Sequence, residues 1–173
     1  MRINKFGARA AALVIGGTSL AWMIGLAGGA TAGAATTCAA ADGHQIQRIV
    51  GNGGCGAKAG PGSRAQSEDS SDSGTAVAVA DKGGNANARN LQPGSSALAG
   101  ATTGGTSYSV TTGPKAFSLA QARAGGTTIA IGGWGGQAIA GAGGAVCQGG
   151  FATAYDSTTG KACLHSGSVD LRN

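Results

Sequence analysis

Four cysteines, Cys38, Cys55, Cys147 and Cys163, are the side chains of this 173-residue chain with the most chemistry to offer. No C-x-x-C occurs and His44 and His165 are far apart in sequence, so a zinc site is the weaker reading. Two disulfides are the stronger one. Of the three connectivities, the spacing favours Cys38 with Cys55 and Cys147 with Cys163, because no cysteine falls between positions 55 and 147. His165 lies near Ser166 and Asp170, but adjacency in sequence does not orient a nucleophile against a base, and G-x-S-x-G is absent. The glycines form no G-x-x-x-x-G-K-[ST] loop for phosphate. Glu68, Asp69 and Asp72 make the one acidic cluster, which reads as the solvation of an exposed first-coil turn ahead of a weak single-ion site. The sequence therefore assigns no catalytic residue, no cofactor and no metal ligand. Trp134, in GGWGGQ, is the remaining candidate. A ring held out of a turn there could stack on a sugar; the plainer alternative is that it folds over a coil edge or against another subunit.

The elements that would position these residues must be built from very small side chains. Leu, Ile, Val and Phe together make 26 of the 173 residues, below the roughly 20% at which a conventional core becomes doubtful. Only 11% of residues are charged, which argues against high-charge disorder. Thirty-five glycines and 4% aromatics exclude large α/β enzyme folds and helical bundles.

A six-residue unit recurs eight times: GSRAQS at 62, SGTAVA at 73, GGNANA at 83, GSSALA at 94, GGTSYS at 104, GPKAFS at 113, GGTTIA at 125 and GGQAIA at 135. Its fourth and sixth positions are always Ala, Ser or Thr, whereas its fifth reads Gln66, Val77, Asn87, Leu98, Tyr108, Phe117, Ile129 and Ile139. Alternation of this kind after a glycine is a short strand entered through a turn, with small residues on one face and larger ones on the other. Alternate units start at 62, 83, 104 and 125, a constant step of 21. The fold expected is all-β, a parallel β-solenoid or β-roll of about four two-strand coils with disulfide-stapled end caps. Ala86, Ala97, Ala116 and Ala138 face inward; the opposite winding would bury Glu68 and Arg89. Val77, Val79, Leu98, Phe117, Leu119 and Ile139 then form an outward apolar stripe, an interface for a homo-oligomer.

Residues 1–34 read as a cleaved signal peptide, with basic Arg2, Lys5 and Arg9, an apolar stretch over 10–26 and small-x-small sites at 30–34. Residues 35–61 are the N-terminal cap, 62–142 the roll, and 143–173 a C-terminal cap hairpin and tail, with the hairpin turn at Asp156 to Gly160. No second apolar run follows, so no integral membrane segment is expected after cleavage. Cleavage leaves nine basic against seven acidic side chains, a net +2 with no basic stripe, which argues against nucleic acid as a partner.

The run GTTIAIGGWGGQAIAG resembles the head repeats of trimeric autotransporter adhesins. That resemblance, over residues 62–142, implies a narrow parallel β-roll with small side chains inside and a trimer among oligomers. The whole chain is also similar to a small family of secreted actinobacterial proteins, which implies localisation and no activity. The function expected is that of a secreted structural or adhesive protein, extracellular or associated with the cell envelope, without catalysis. The alternative is an extracellular glycan- or small-ligand-binding module, with Trp134 touching a cell-wall or surface glycan.

Overall fold

A computed structural model describes residues 35–173, so the signal peptide expected over 1–34 lies outside the described residues. Among the described residues there are fifteen strands and no helix: β1 (Thr36–Ala41), β2 (Gln45–Val50), β3 (Gly53–Ala59), β4 (Arg64–Asp69), β5 (Thr75–Asp81), β6 (Asn85–Asn90), β7 (Ser96–Thr102), β8 (Thr106–Thr111), β9 (Phe117–Ala122), β10 (Thr127–Gly133), β11 (Gln137–Gly141), β12 (Gly144–Gln148), β13 (Phe151–Asp156), β14 (Lys161–Ser166) and β15 (Val169–Arg172). They form two sheets, ordered β1-β4-β6-β8-β10-β13-β14-β15 and β12-β11-β9-β7-β5-β3-β2. The chain crosses from one sheet to the other with every repeat unit, so each coil contributes one strand to each sheet. The result is a parallel β-solenoid of about four coils, as the 21-residue step requires.

Register follows the same step. Ala65 pairs with Ala86 and Ala86 with Ser107, while Ala76 pairs with Ala97. The interior is narrow because each inward position holds little more than a methyl or hydroxyl group. Ala86, Ala97, Ala116 and Ala138 are all buried, at 3%, 0%, 3% and 0% exposure. Larger side chains at these positions would push the sheets apart, so the composition that rules out an ordinary core is the composition this one needs.

Turns between coils stack as regularly as the strands. Lys82–Gly83, Thr103–Gly104 and Ala124–Gly125 each place two consecutive residues at positive φ, the backbone of a tight primed turn. Gly104 N–H donates to Lys82 C=O and Gly125 N–H to Thr103 C=O, tying each turn to the one before.

The parallel ladder starts one strand before residue 62, since β3 already pairs in parallel with β5. The antiparallel strands at the N-terminal end are β1 on β4 and β2 on β3. At the other end β12 and β13 reverse against β11 and β10, and β13 with β14 forms the hairpin expected around Asp156. The Asp156 carboxylate is 1% exposed and accepts from the Thr158 and Thr159 N–H groups and the Thr159 hydroxyl, which fixes that turn. Cys38–Cys55 links β1 to β3 and Cys147–Cys163 links β12 to β14, with Cα–Cα distances of 5.7 and 5.8 Å. Each bond therefore ties one sheet to the other at one end of the solenoid.

Two expectations need correction. Phe117 does not stack on Leu98: the even units step by only 19 residues from 94 to 113, and the ladder restores its spacing by pairing Leu98 with Leu119 and Ser96 with Phe117. Nor is the acidic cluster wholly a solvated turn: Asp72 is exposed on the turn after β4 and Glu68 is half-buried, but Asp69 is not at the surface. Asp69 points inward at 3% exposure, because it continues the alternation that buries Ala65 and Ser67. Its carboxylate accepts from Ser71 N–H at 3.0 Å, Ser71 Oγ at 2.8 Å and Asn90 Nδ2 at 2.8 Å.

Candidate functional site

With the interior filled by Ala and Ser, what the molecule offers to others stands on its outer faces. On the sheet formed by β3, β5, β7, β9 and β11, the outward residues Val77, Leu98, Leu119 and Ile139 pair on successive rungs as one continuous column. Val79 lies one column to one side, with Gly100 and Gln121 as its rung partners. Phe117 lies one column to the other side, with Ser96 and Gln137. The column is half-buried by its own stacking, and Val79 is 45% exposed. Val146 on β12 prolongs it beyond Ile139 and is 42% exposed. The sequence reading missed Val146 because it lies outside the repeat, although its position between the inward Ala145 and Cys147 was visible.

The column is flanked by hollows. One of about 430 Å³ opens over Gly54 and Gly56, beside Thr75 and Val77. Another of about 360 Å³ opens over Gly100, beside Val79 and Gln121. Rungs that carry Gly at an outward position thus sit next to rungs that carry Val or Leu, which makes a surface of knobs and hollows and not a flat strip.

Trp134 occupies the turn between β10 and β11. It is 67% exposed, so the ring does not fold over the coil edge within this chain. Its φ of 49° is in the left-handed region, which a bulky side chain seldom occupies. Gly113 and Gly150 pack closely enough on the Trp134 backbone that a Cβ at either position would collide with it, and this crowding holds the turn in place.

Elsewhere the geometry reports plainly on the remaining candidates. His165 Nδ1 stands 3.7 Å from Asp170 Oδ2. Asp170 is engaged by Arg172 through two hydrogen bonds of 2.7 and 2.8 Å, which with the Arg172 charge hold its carboxyl below the ordinary value. His165 and Ser166 are consecutive on β14 and pair with Asp170 and Val169 across the β14–β15 ladder, so the cluster is explained by strand register. Glu68 is bound to Arg89 at 3.2 Å on the outside of the other sheet. Among the described residues no group of three or more His, Cys, Asp or Glu side chains is placed to hold a metal ion. No helix among them is long and apolar enough to cross a membrane. Two disulfides in an all-β chain are consistent with an extracellular location, where thiols are kept oxidised.

Comparison with known families places the chain in the Family of unknown function (DUF6764), whose model matches residues 4–166; the chain belongs to that family. No curated protein and no solved structure matches it.

Proposed function

We propose that this protein is a secreted structural or adhesive component of the cell envelope, non-catalytic, which assembles as a homo-oligomer through the β5–β7–β9–β11 face. The observation that carries the reading is the column Val77–Leu98–Leu119–Ile139, which faces outward from a sheet whose inner side is already closed by Ala. Stacked aliphatic side chains of this kind are stabilised by removal from water, and the hollows over Gly54, Gly56 and Gly100 give the same face of a second copy room to receive side chains. A trimer is the preferred state, on the resemblance of GTTIAIGGWGGQAIAG to adhesin head repeats. The signal peptide reading of residues 1–34 and the two disulfides support secretion. The test is the solution mass of the mature protein by light scattering, compared with a Leu98→Ser/Leu119→Ser variant, which should be monomeric and folded.

Trp134 supports a second reading, an extracellular module for glycans or small ligands. A tryptophan two-thirds exposed on a strained turn is costly unless something meets it. Retention on purified cell wall that disappears with Trp134→Ala would favour that reading.

A further inference from the structure

The opposite sheet carries a second outward column, of different chemistry. Gln66, Asn87, Tyr108, Ile129 and Tyr155 stand on successive rungs of β4, β6, β8, β10 and β13 in direct register. Tyr108, Ile129 and Tyr155 are 45%, 36% and 42% exposed. We propose that this column is a binding platform for a neutral, extended, β-linked polysaccharide. The proposal deepens the adhesive reading by naming a ligand class and a face, and rests on it only in requiring that the face be presented outside the cell.

Spacing is the first reason. Tyr108 and Tyr155 are two strand separations apart, about 10 Å, fixed by the backbone ladder. That is the span of two consecutive pyranose rings in an extended β-1,4-linked chain, so the two phenol rings can meet alternate sugars of one strand while Ile129 lies beneath the ring between them.

Side-chain chemistry is the second. A tyrosine offers an apolar ring to the C–H face of a sugar and a hydroxyl to its polar rim. Asn87 and Gln66 prolong the column with amides, Asn87 Nδ2 donating to Gln66 Oε1 at 3.5 Å. Thr106 and Thr127, paired one column to the side, add hydroxyl groups along the same direction. At the far end a hollow of about 410 Å³ beside Tyr155, bordered by Leu164 and Leu171, continues the platform.

Charge decides between occupants. No charged residue stands in the column; on one side Glu68 and Arg89 neutralise each other, and on the other the column of Asn85, Thr106 and Thr127 carries a single cation, Arg64, at its N-terminal end. An anionic polymer would find no row of cations here, whereas a polyol needs none. A second copy suits this face less than the opposite one, because the amides of Gln66 and Asn87 and the phenol hydroxyls of Tyr108 and Tyr155 would each need a hydrogen-bond partner if a protein surface covered them.

The experiment is retention of the mature protein on microcrystalline cellulose and on chitin, with titration of a soluble cello-oligosaccharide by calorimetry. The wild type should be retained, and Tyr108→Ala/Tyr155→Ala should weaken the oligosaccharide Kd about tenfold or more. Circular dichroism checks the fold of the double variant; should it be lost, Tyr108→Ser alone is read in its place. A wild type that ignores both polymers and the oligosaccharide, or a folded variant that binds as tightly as wild type, overturns the proposal. Light scattering on the same samples separates the two readings. An oligomer that ignores the polymers leaves assembly standing without the platform, and a monomer that binds through the tyrosines leaves the platform without assembly.

Discussion

The two sheets share one backbone step and differ in almost everything else. The sheet of β5, β7, β9 and β11 presents an inner wall of Ala76, Ala78, Ala97, Ala99, Ala120, Ala138 and Ala140, and an outer column of Val, Leu and Ile. The sheet of β4, β6, β8 and β10 buries Ser67, Asp69, Asn90, Ser107, Ser109, Thr111 and Thr128, and shows the outside a mixture of amides, an ion pair and tyrosines. The first wall is closed mainly by methyl packing; the second interleaves the buried Ala65, Ala86, Ala88 and Ala130 with polar side chains, of which Ser67, Asp69, Asn90, Ser109 and Thr111 are hydrogen-bonded. Ser67 Oγ reaches across to Gly56 C=O at 2.9 Å, and Ser109 Oγ to Ser118 C=O at 2.8 Å, so the polar wall also stitches the two sheets together. Along the polar wall Asn90 is the hub, donating to Asp69 Oδ1 and Ser71 Oγ while its own Oδ1 accepts from the Thr111 hydroxyl. Gly74 and Gly53 on the alanine wall make the room: a Cβ at Gly74 would run into the Asn90 amide, and one at Gly53 into the Asp69 carboxylate. A solenoid too narrow for large apolar groups can thus be closed in two ways, and the protein uses both.

The comparison can be broken at four points, in falling order of effect. Removing the bond that ties the walls together at the N-terminal end, by Cys38→Ser/Cys55→Ser, should cost about 3 kcal/mol in urea unfolding, since it releases a 17-residue separation in the unfolded chain. On the alanine wall, Ala97→Leu at 0% exposure has no space to enter, and a loss of about 1–3 kcal/mol is expected by the same measurement. On the polar wall, Asn90→Ala should cost about as much for the opposite reason, because it leaves the Asp69 carboxylate and Thr111 hydroxyl buried without their partner. If Ala97→Leu were tolerated while Asn90→Ala was severe, close packing would not be what closes the first wall.

The smallest effect is expected at the C-terminal edge. Asp170 has its pKa lowered by Arg172, so the pair contributes to β15 pairing above the unfolded carboxylate value, and that contribution is lost as pH falls through the lower folded value. Amide protection factors in β15, corrected for the intrinsic pH dependence of exchange, should therefore fall on acidification ahead of those in β7 or β9. Asp170→Asn should remove the difference. The change should be confined to β15, because Asp170 and Arg172 are both well exposed and screened by solvent.

How far the sequence was legible follows from these same residues. The solenoid, its two-strand coils and both disulfides could be read because a period of 21 with a large fifth position leaves one face for small residues, and because each cysteine pair lies at one end. The outward direction of Val77, Leu98, Leu119 and Ile139 came with it. Phe117 was misplaced because unit spacing was counted from the glycine of each turn, whereas register is set by the ladder, and turns of unequal length break the two apart. Of the polar wall, Ser67, Ser107, Ser109 and Thr128 were legible as small inward positions of the repeat, but the Asp69–Asn90–Thr111 network was not. Asp69 and Asn90 look like surface residues in isolation, and only the stacking of residues 21 apart turns them into a satisfied interior network. The tyrosine column was half visible: Tyr108 and Ile129 lie in the repeat, but Tyr155 joins them from the cap hairpin, which runs antiparallel and outside the period.

The claim on which the functional account turns is that the Val77–Leu98–Leu119–Ile139 column is covered by other copies of the chain. Light scattering of the disulfide-intact mature protein, over a concentration series reaching micromolar and below, measures this directly. The account predicts a mass three times that of one chain for the wild type and the mass of a single folded chain for Leu98→Ser/Leu119→Ser. A wild type that remains a single chain at the highest concentration would contradict it.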